Sequence, residues 1–450
     1  MSLLRMHTVA DLNISITTFN AGRELIDVDY FASSLYTTLK PGTLPPDLIV
    51  LSLQEIAPLG YSFLGGSLLA PFLSRFVGAV TRAAQWAFGK DADYEHVVTR
   101  SAGMTGIVVF GRRTVRERTK WIEAAGTGVG IWEMGNKGAV GVRIALESAG
   151  ADDEDVLLTF VAAHLAPMEK AWERRNEDWE NICQTLVFEP VDKRNANVTE
   201  GQPLLGNDDS TSGPHGMYDP PSHLFIAGDL NYRTSDSQPD PKDFESWPQP
   251  MQSDSGTAHY TKLLDKDQLT RELKANRTLH GLTEAPITFP PTYKYSSRAQ
   301  SLARETAKAR SQNTKDDESV SPTIDLSDIQ EQVYLWAKHR IPSWCDRILF
   351  LESAKPQVHS YTALPVQPTS DHRPVVLSCS VPDKAVTEAV TAPFDIAKDW
   401  KIRREFAKRV EVAVGVGGYL GFTGQGRVLT AGTLVGVIVG YLALRYMLGY

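Results

Sequence analysis

Apolar and polar positions alternate along residues 12–20, LNISITTFN, a pattern that predicts a half-buried strand ending on Asn20. A helix is expected over Tyr30–Leu39, followed by a PGTLPP turn. The nearly continuous apolar run DLIVLSLQEI then reads as a strand ending at Gln54-Glu55. Residues 66–89 carry Leu68, Leu69, Phe72, Phe76, Val80 and Trp86 at roughly helical spacing, which suits either a core-facing helix or a membrane-facing one. Four more strands are predicted at TGIVVFGR, KGAVGVRIAL, DVLLTFVAAHLA and HLFIA, and two more after PSWCDR and SDHRP. Period-two and continuous apolar segments dominate, and helices are few. The expected fold is an α/β (α+β) four-layer sandwich, with two packed, mainly antiparallel sheets flanked by helices. Residues 192–222 and 296–330 are polar and read as inserts without structure.

The pattern changes after residue 382. Residues 383–411 form a linker that turns basic, with Lys398, Lys401, Arg403, Arg404, Lys408 and Arg409 close together. Residues 412–450 read as a membrane tail. No charge interrupts Val428 to Leu444, and at ~1.5 Å per residue this stretch spans roughly 25 Å. Arg427 and Arg445 flank it. A tail anchor would leave residues 1–382 and the basic run on the cytosolic side. The basic run would also draw the domain to anionic lipid, at ~1 kcal/mol per charge. Residues 412–426 are uncharged and Gly-rich, so a hairpin through both segments is the alternative. Gly432, Gly436 and Gly440 share one face, which permits two copies to pair through the tail. The short span suits the thinner endoplasmic reticulum bilayer.

Composition narrows the partners. The formal net charge of −8 gives no global field toward nucleic acid, and no nucleic-acid partner is expected. The three cysteines, Cys183, Cys345 and Cys379, are an odd number without framework spacing, which suits a reducing compartment. The N-terminus has no continuous apolar stretch of the kind a secretory signal needs. No G-x-G-x-x-G, Walker or Cys-x5-Arg pattern occurs, so water is a better candidate nucleophile than a cysteine.

Polar residues instead gather at segment ends. HLFIA runs into GDLNYR, placing Asp229 and Asn231 two residues apart at a strand tip. An aspartate there can take a proton from water while an asparagine donates to an oxyanion. Asn20 and Glu55 offer oxygen ligands of the kind magnesium takes. His164 closes DVLLTFVAAHLA, and Asn136-Lys137-Gly138 sits on a Gly-rich connection, as a phosphate contact or a solvated loop. FPPTYKY offers Tyr293 and Lys294 after a rigid Pro pair, KHRIPSWCDRILF carries Lys338, Arg340 and Asp346, and TSDHRPVV brings Asp371 and His372 before a strand.

In this order, NKGAV, GDLNYR, FPPTYKY, PSWCDRIL and SDHRPV resemble the inositol polyphosphate 5-phosphatases, over about residues 12–382. GDLNYR and SDHRPV fit the wider superfamily of magnesium-dependent phosphatases and nucleases, whereas PSWCDRIL and FPPTYKY narrow the likeness. The resemblance implies magnesium held by Glu55 with Asn20, with Gln54 in its shell and Asp371 near the metal or its water. It implies that Asp229 is the base for the attacking water and that Asn231 steadies the phosphoryl oxygens. His164 and His372 would contact phosphate, with Asp346 keeping His372 cationic. Tyr293, Lys294, Lys338 and Arg340 would grip a neighbouring ring phosphate, with Asn136-Lys137 as a further contact. The implied activity is magnesium-dependent removal of the 5-phosphate of phosphatidylinositol 4,5-bisphosphate at a membrane. The alternatives are a phosphatase of soluble inositol phosphates and a catalytically idle phosphoinositide-binding tether.

Overall fold

The computed structural model describes residues 11–39, 44–89, 93–148, 154–191, 214–249, 259–316, 334–352 and 356–448. The strands are β1 (Asp11–Asn20), β2 (Leu48–Gln54), β3 (Tyr94–Ala102), β4 (Thr105–Arg112), β5 (Thr119–Gly128), β6 (Gly138–Leu146), β7 (Val156–His164), β8 (Glu189–Pro190), β9 (His223–Asp229), β10 (Leu282–Glu284), β11 (Asp346–Leu351), β12 (Gln357–Ala363) and β13 (Val375–Pro382). The α-helices are α1 (Val28–Leu39), α2 (Leu59–Leu64), α3 (Ala70–Phe88), α4 (Arg113–Glu117), α5 (Trp172–Thr185), α6 (Thr261–Leu264), α7 (Gln268–Lys274), α8 (Ser297–Asp316), α9 (Trp400–Phe422) and α10 (Gly424–Leu448).

The strands form two mixed sheets, ordered β12-β13-β1-β2-β4-β3 and β10-β11-β9-β7-β6-β5-β8. They are mainly antiparallel, as the alternation predicts, with one parallel pair in each: β1 with β2, and β7 with β9. The inner faces interdigitate in one core that takes Ile14, Ile16, Val50 and Val109 from the first sheet. Val140, Val142, Ile144, Phe160 and Phe225 come from the second. Strands such as β2 and β6 are buried along their whole length because their outer faces are covered too. Helices α1 and α3 cover the outer face of the first sheet, and α5 covers that of the second. Four layers result.

Helix α3 resolves the open reading of residues 66–89. Leu73, Phe76, Val80, Ala83 and Ala87 recur at helical spacing and are buried against the sheet, so the helix faces the core and not a bilayer.

The two segments expected to be structureless inserts are ordered over 214–222 and 297–316. Residues 297–316 form α8, whose Ala303 and Ala307 pack on Tyr30 of α1. Residues 214–222 also lie on the fold, with Met217 and Tyr218 buried. Residues 192–213 and 317–330 lie outside the described residues. Small, helix-favouring Ala at 303 and 307 is what lets a polar sequence bury one stripe.

Beyond β13 the chain is also more ordered than a linker. Helix α9 packs against α2, α5 and the loop that follows β5, and two residues of its basic run are tied to the domain. Arg403 pairs with Glu133 at 2.6 Å, and Arg404 with Glu189 at 2.6 Å. These two charges therefore dock the helix and are not free to meet lipid. Helix α10 is longer than the predicted 428–444. Its 25 residues reach about 37 Å at ~1.5 Å each, and its apolar window has no part buried against the protein. By length and composition it can cross a membrane.

Candidate active site

The parallel pairings explain why the polar strand ends meet. In β1–β2, Asn20 lies beside Gln54, so Glu55 follows at the same edge. In β7–β9, His164 lies beside Asp229. Strand β11 runs antiparallel to β9, so its first residue, Asp346, faces Asp229, the last of β9. Strand β13 begins opposite Thr18, which brings the preceding Asp371-His372 to the same rim. Two residues there, Glu55 (φ 47) and Asn231 (φ 58), adopt the left-handed conformation that non-glycine residues seldom take. The turn at Asn231 returns its own N–H to Asp229 Oδ1, 3.2 Å away.

Asp229 is buried at the centre of this rim. Its Oδ2 accepts from Asn20 Nδ2 at 2.9 Å and lies 3.2 Å from His164 Nε2 and 3.8 Å from His372 Nε2. Burial alone would push the carboxyl up, but His372, His164 and Lys137 outweigh it and hold it well below the usual carboxylate range. His372 turns Nδ1 to Asp346 Oδ2 at 2.9 Å, and Thr292 Oγ1 donates to that same oxygen at 2.7 Å. Burial disfavours the His372 cation, yet Asp346 and Asp229 prevail and push its pKa up to about 9. His164 behaves in the opposite way. Burial and the adjacent Lys137 ammonium lower it, so it is the neutral imidazole of the pair, its Nε2 lying between Lys137 Nζ and Asp229 Oδ2.

Lys137 also lies 3.7 Å from Glu55, whose other carboxylate oxygen meets Arg23 at 2.9 Å. Burial lowers Lys137 itself, opposed by Asp229 and Glu55. A second basic group stands beside the first. Lys294 pairs with Asp371 at 2.8 Å, Arg340 reaches Glu169 at 3.6 Å, and the Tyr293 ring lies 4.5 Å from the His372 ring.

Of the residues singled out by sequence, the rim thus brings together Asn20, Glu55, Lys137, His164, Asp229, Asn231, Asp346, Asp371 and His372, with Tyr293 beside them. Several details differ from expectation. Asn136 points away into its own loop, against Gly130, where a built Cβ would meet its Oδ1 at 1.9 Å. Gln54 is fully buried and bonds Ser52 Oγ and Thr18 Oγ1, so it belongs to the strand interior and not to a metal shell. Asp371 is held on the Lys294 side, and Lys338 is exposed, its ammonium 5.0 Å over the Phe244 ring.

Three contributors were missed. Arg233 donates to Asn231 Oδ1 and stacks 4.2 Å over Tyr293, Thr292 fixes Asp346, and Arg23 holds Glu55. Arg233 and Thr292 lie inside GDLNYR and FPPTYKY, the only signal that could have found them.

As a metal site, the Glu55 carboxylate and the Asn20 carboxamide oxygen are hard donors, and Glu55 keeps access to water. The Asn20 oxygen accepts the Gly22 N–H at 3.1 Å and retains a second lone pair. That set fits magnesium, which takes few carboxylates and keeps its waters. Asp229, Asp346 and His372 also cluster closely enough to hold an ion. Their mutual ion pair already accounts for that grouping.

Comparison with known proteins agrees with this geometry. The model of endonuclease/exonuclease/phosphatase family 2 matches residues 17–378. The type II inositol polyphosphate 5-phosphatase 15 of Arabidopsis thaliana is 27% identical over 416 residues, which is 85% of this chain and 33% of that protein. The type II inositol 1,4,5-trisphosphate 5-phosphatase of Mus musculus is 30% identical over 253 residues, 56% of this chain and 19% of that one. The chain therefore spans a third or less of the length of these relatives. A crystal structure of the inositol polyphosphate 5-phosphatase domain of SPsynaptojanin, in complex with inositol (1,4)-bisphosphate and calcium ion, shares the fold. Its TM-score is 0.55 at 21% identity, over 90% of this chain and 92% of that one. The family match runs through both sheets and every strand end of the rim, and the chain belongs to the endonuclease/exonuclease/phosphatase family 2, with inositol polyphosphate 5-phosphatases among its homologues.

Proposed function

We propose that the chain hydrolyses the 5-phosphate of phosphatidylinositol 4,5-bisphosphate to give phosphatidylinositol 4-phosphate, with magnesium, at a membrane surface. The observation that carries this reading is Asp229, buried between a neutral and a cationic histidine, beside a separate Lys294–Arg340 group. One cluster is suited to a reacting phosphoryl group and the other to a neighbouring phosphate.

In the reaction, water oxygen bonds to phosphorus as the bond from phosphorus to the inositol oxygen breaks. Asp229 orients that water and accepts its proton, and the departing inositol oxygen takes up a proton from solvent to leave as the hydroxyl. In the resting site the Asp229 carboxyl is held too low to be a good base. A phosphate dianion entering against His372 and Lys137 offsets their charge and raises it. His372 and Lys137 meet the negative charge that builds on the phosphoryl oxygens. Asn231, locked by its amide to Leu165 and Arg233, supports the Asp229 turn. Magnesium held by Glu55 and Asn20 would supply further charge at the phosphoryl oxygens.

Helix α10 supports anchoring by the tail, with the catalytic domain facing the cytosol and the substrate confined to the same surface. Within it the uncharged stretch from Val428 to Leu444, roughly 25 Å at ~1.5 Å per residue, suits a thin endoplasmic reticulum bilayer, and the face of Gly432, Gly436 and Gly440 would allow pairing between copies.

The test is phosphate release from vesicles carrying each phosphoinositide, and from the matching soluble headgroups, with magnesium or EDTA and an Asp229→Ala control. Magnesium-dependent release from the 4,5-bisphosphate lipid, lost in the variant, is expected. Release from headgroups alone would favour a soluble-substrate phosphatase. No release by folded protein from any 5-phosphorylated compound would leave a tether.

A further inference from the structure

The family match ends at residue 378, yet α9 touches both of the loops that build the rim. Its Glu411 is largely buried and its Oε1 accepts the Gly135 N–H at 2.6 Å. The Gly135 carbonyl accepts the Met104 N–H at 2.8 Å, and the Met104 carbonyl accepts the Ile56 N–H at 3.3 Å. Ile56 follows Glu55 directly. On the other side of Gly135 come Asn136 and Lys137, the latter's carbonyl accepting the Val129 N–H at 2.8 Å. Gly135 has no spare room, since a Cβ there would lie 2.9 Å from Gly103 Cα and 3.0 Å from Glu411 Oε1.

The same helix supports the start of the other loop. Tyr419 packs on Tyr61 with ring centroids 6.0 Å apart, and Gly415 lies under Phe63 and Leu64 of α2, the helix that follows Glu55.

The loop needs such support. Residues 126–138, GTGVGIWEMGNKG, include five glycines, and each glycine loses more conformational freedom on ordering than any other residue. The Lys137 ammonium that this loop delivers reaches both His164 and Glu55, a placement that a shift of about 1 Å would lose.

We propose that α9 is part of the catalytic unit and that Glu411 is a positioning residue, whose carboxylate fixes the Gly135–Lys137 turn and so sets Lys137 between Glu55 and His164. The proposal rests on the functional reading above only in so far as Lys137 serves turnover. The structural link is independent of it.

The experiment uses the full chain in detergent with a soluble inositol 5-phosphate, which removes effects of vesicle binding. Glu411→Ala is expected to lower kcat/KM about tenfold. Glu411→Gln keeps an acceptor oxygen and is expected to stay within about two-fold of wild type. In a Lys137→Ala background, Glu411→Ala should cost less than about two-fold, because both act through one group. Amide exchange over residues 126–138 should accelerate in Glu411→Ala. Equal losses in both backgrounds, no rescue by Gln, or unchanged exchange would each overturn the proposal. If wild-type protein shows no turnover, the phosphatase reading fails and the exchange arm alone decides whether Glu411 holds the loop.

Discussion

At Asp229, the positive charge of His372 and Lys137 bears on one carboxylate, and that charge decides how the site responds to pH and substitution. Asp229→Asn keeps the shape but cannot accept the water's proton. Its kcat should fall by about 10²–10⁴ with KM little changed, measured on vesicles or headgroup. His372 keeps its proton up to about pH 9 because Asp346 and Asp229 oppose burial. Its cationic form is therefore complete at pH 7 and lost as the pH rises through about 9. The alkaline limb of log kcat/KM should fall there, and His372→Asn should remove that limb along with most of the rate. Glu55→Gln should raise the magnesium concentration for half-maximal rate, because a carboxylate ligand is replaced by a neutral one. Most of these groups were legible because each closes or opens an apolar segment. Thr292, Arg23 and Arg233 were not, since what makes them matter is a partner across the fold. The inward turn of Asn136 was equally hidden, because a loop's sequence does not say which way its side chains face.

At the scale of elements, alternation and apolar runs located β1, β2, β4, β6, β7, β9, β11 and β13, but not the pairing that makes the site. That a parallel neighbour would bring His164 beside Asp229 depends on which strands meet, and no local pattern encodes it. Strands β3, β5 and β12 were overlooked because charged and polar residues such as Glu95, Arg100, Lys120 and His359 interrupt them. The β3–β4 hairpin turns at Gly103, whose φ of +55 and 2.2 Å separation between a built Cβ and the Gly135 carbonyl leave room for no side chain. Gly103→Ala should destabilise the fold by about 1–3 kcal/mol, read as a lower Tm, and the damage should extend to the neighbouring Gly135. Helix α9 was misread for a related reason: a run of basic residues reads as solvated until the acidic partners on another element, Glu133 and Glu189, are known.

Across the whole molecule, a phosphatase fold carries a docked helix that leads straight into a candidate membrane span. Removing residues 424–450 should leave headgroup hydrolysis within about two-fold, since no rim residue lies in α10. Under the proposed anchoring, release from dilute vesicles should fall much further, because the tail would hold enzyme and lipid at a high effective concentration. Side-by-side progress curves on the two substrates would check this. Helices α9 and α10 are separated only by Thr423, whose backbone is extended (φ −96, ψ 150) between two helices. One residue is too short to be a tether that lets a domain roam. It acts as an elbow, so with α10 in a bilayer the helix would fix the compass bearing and the height of the catalytic mouth above the lipid headgroups. Such an enzyme would work as a planer set to one depth, reaching headgroups in its own leaflet within a narrow annulus and passing over those on an apposed membrane.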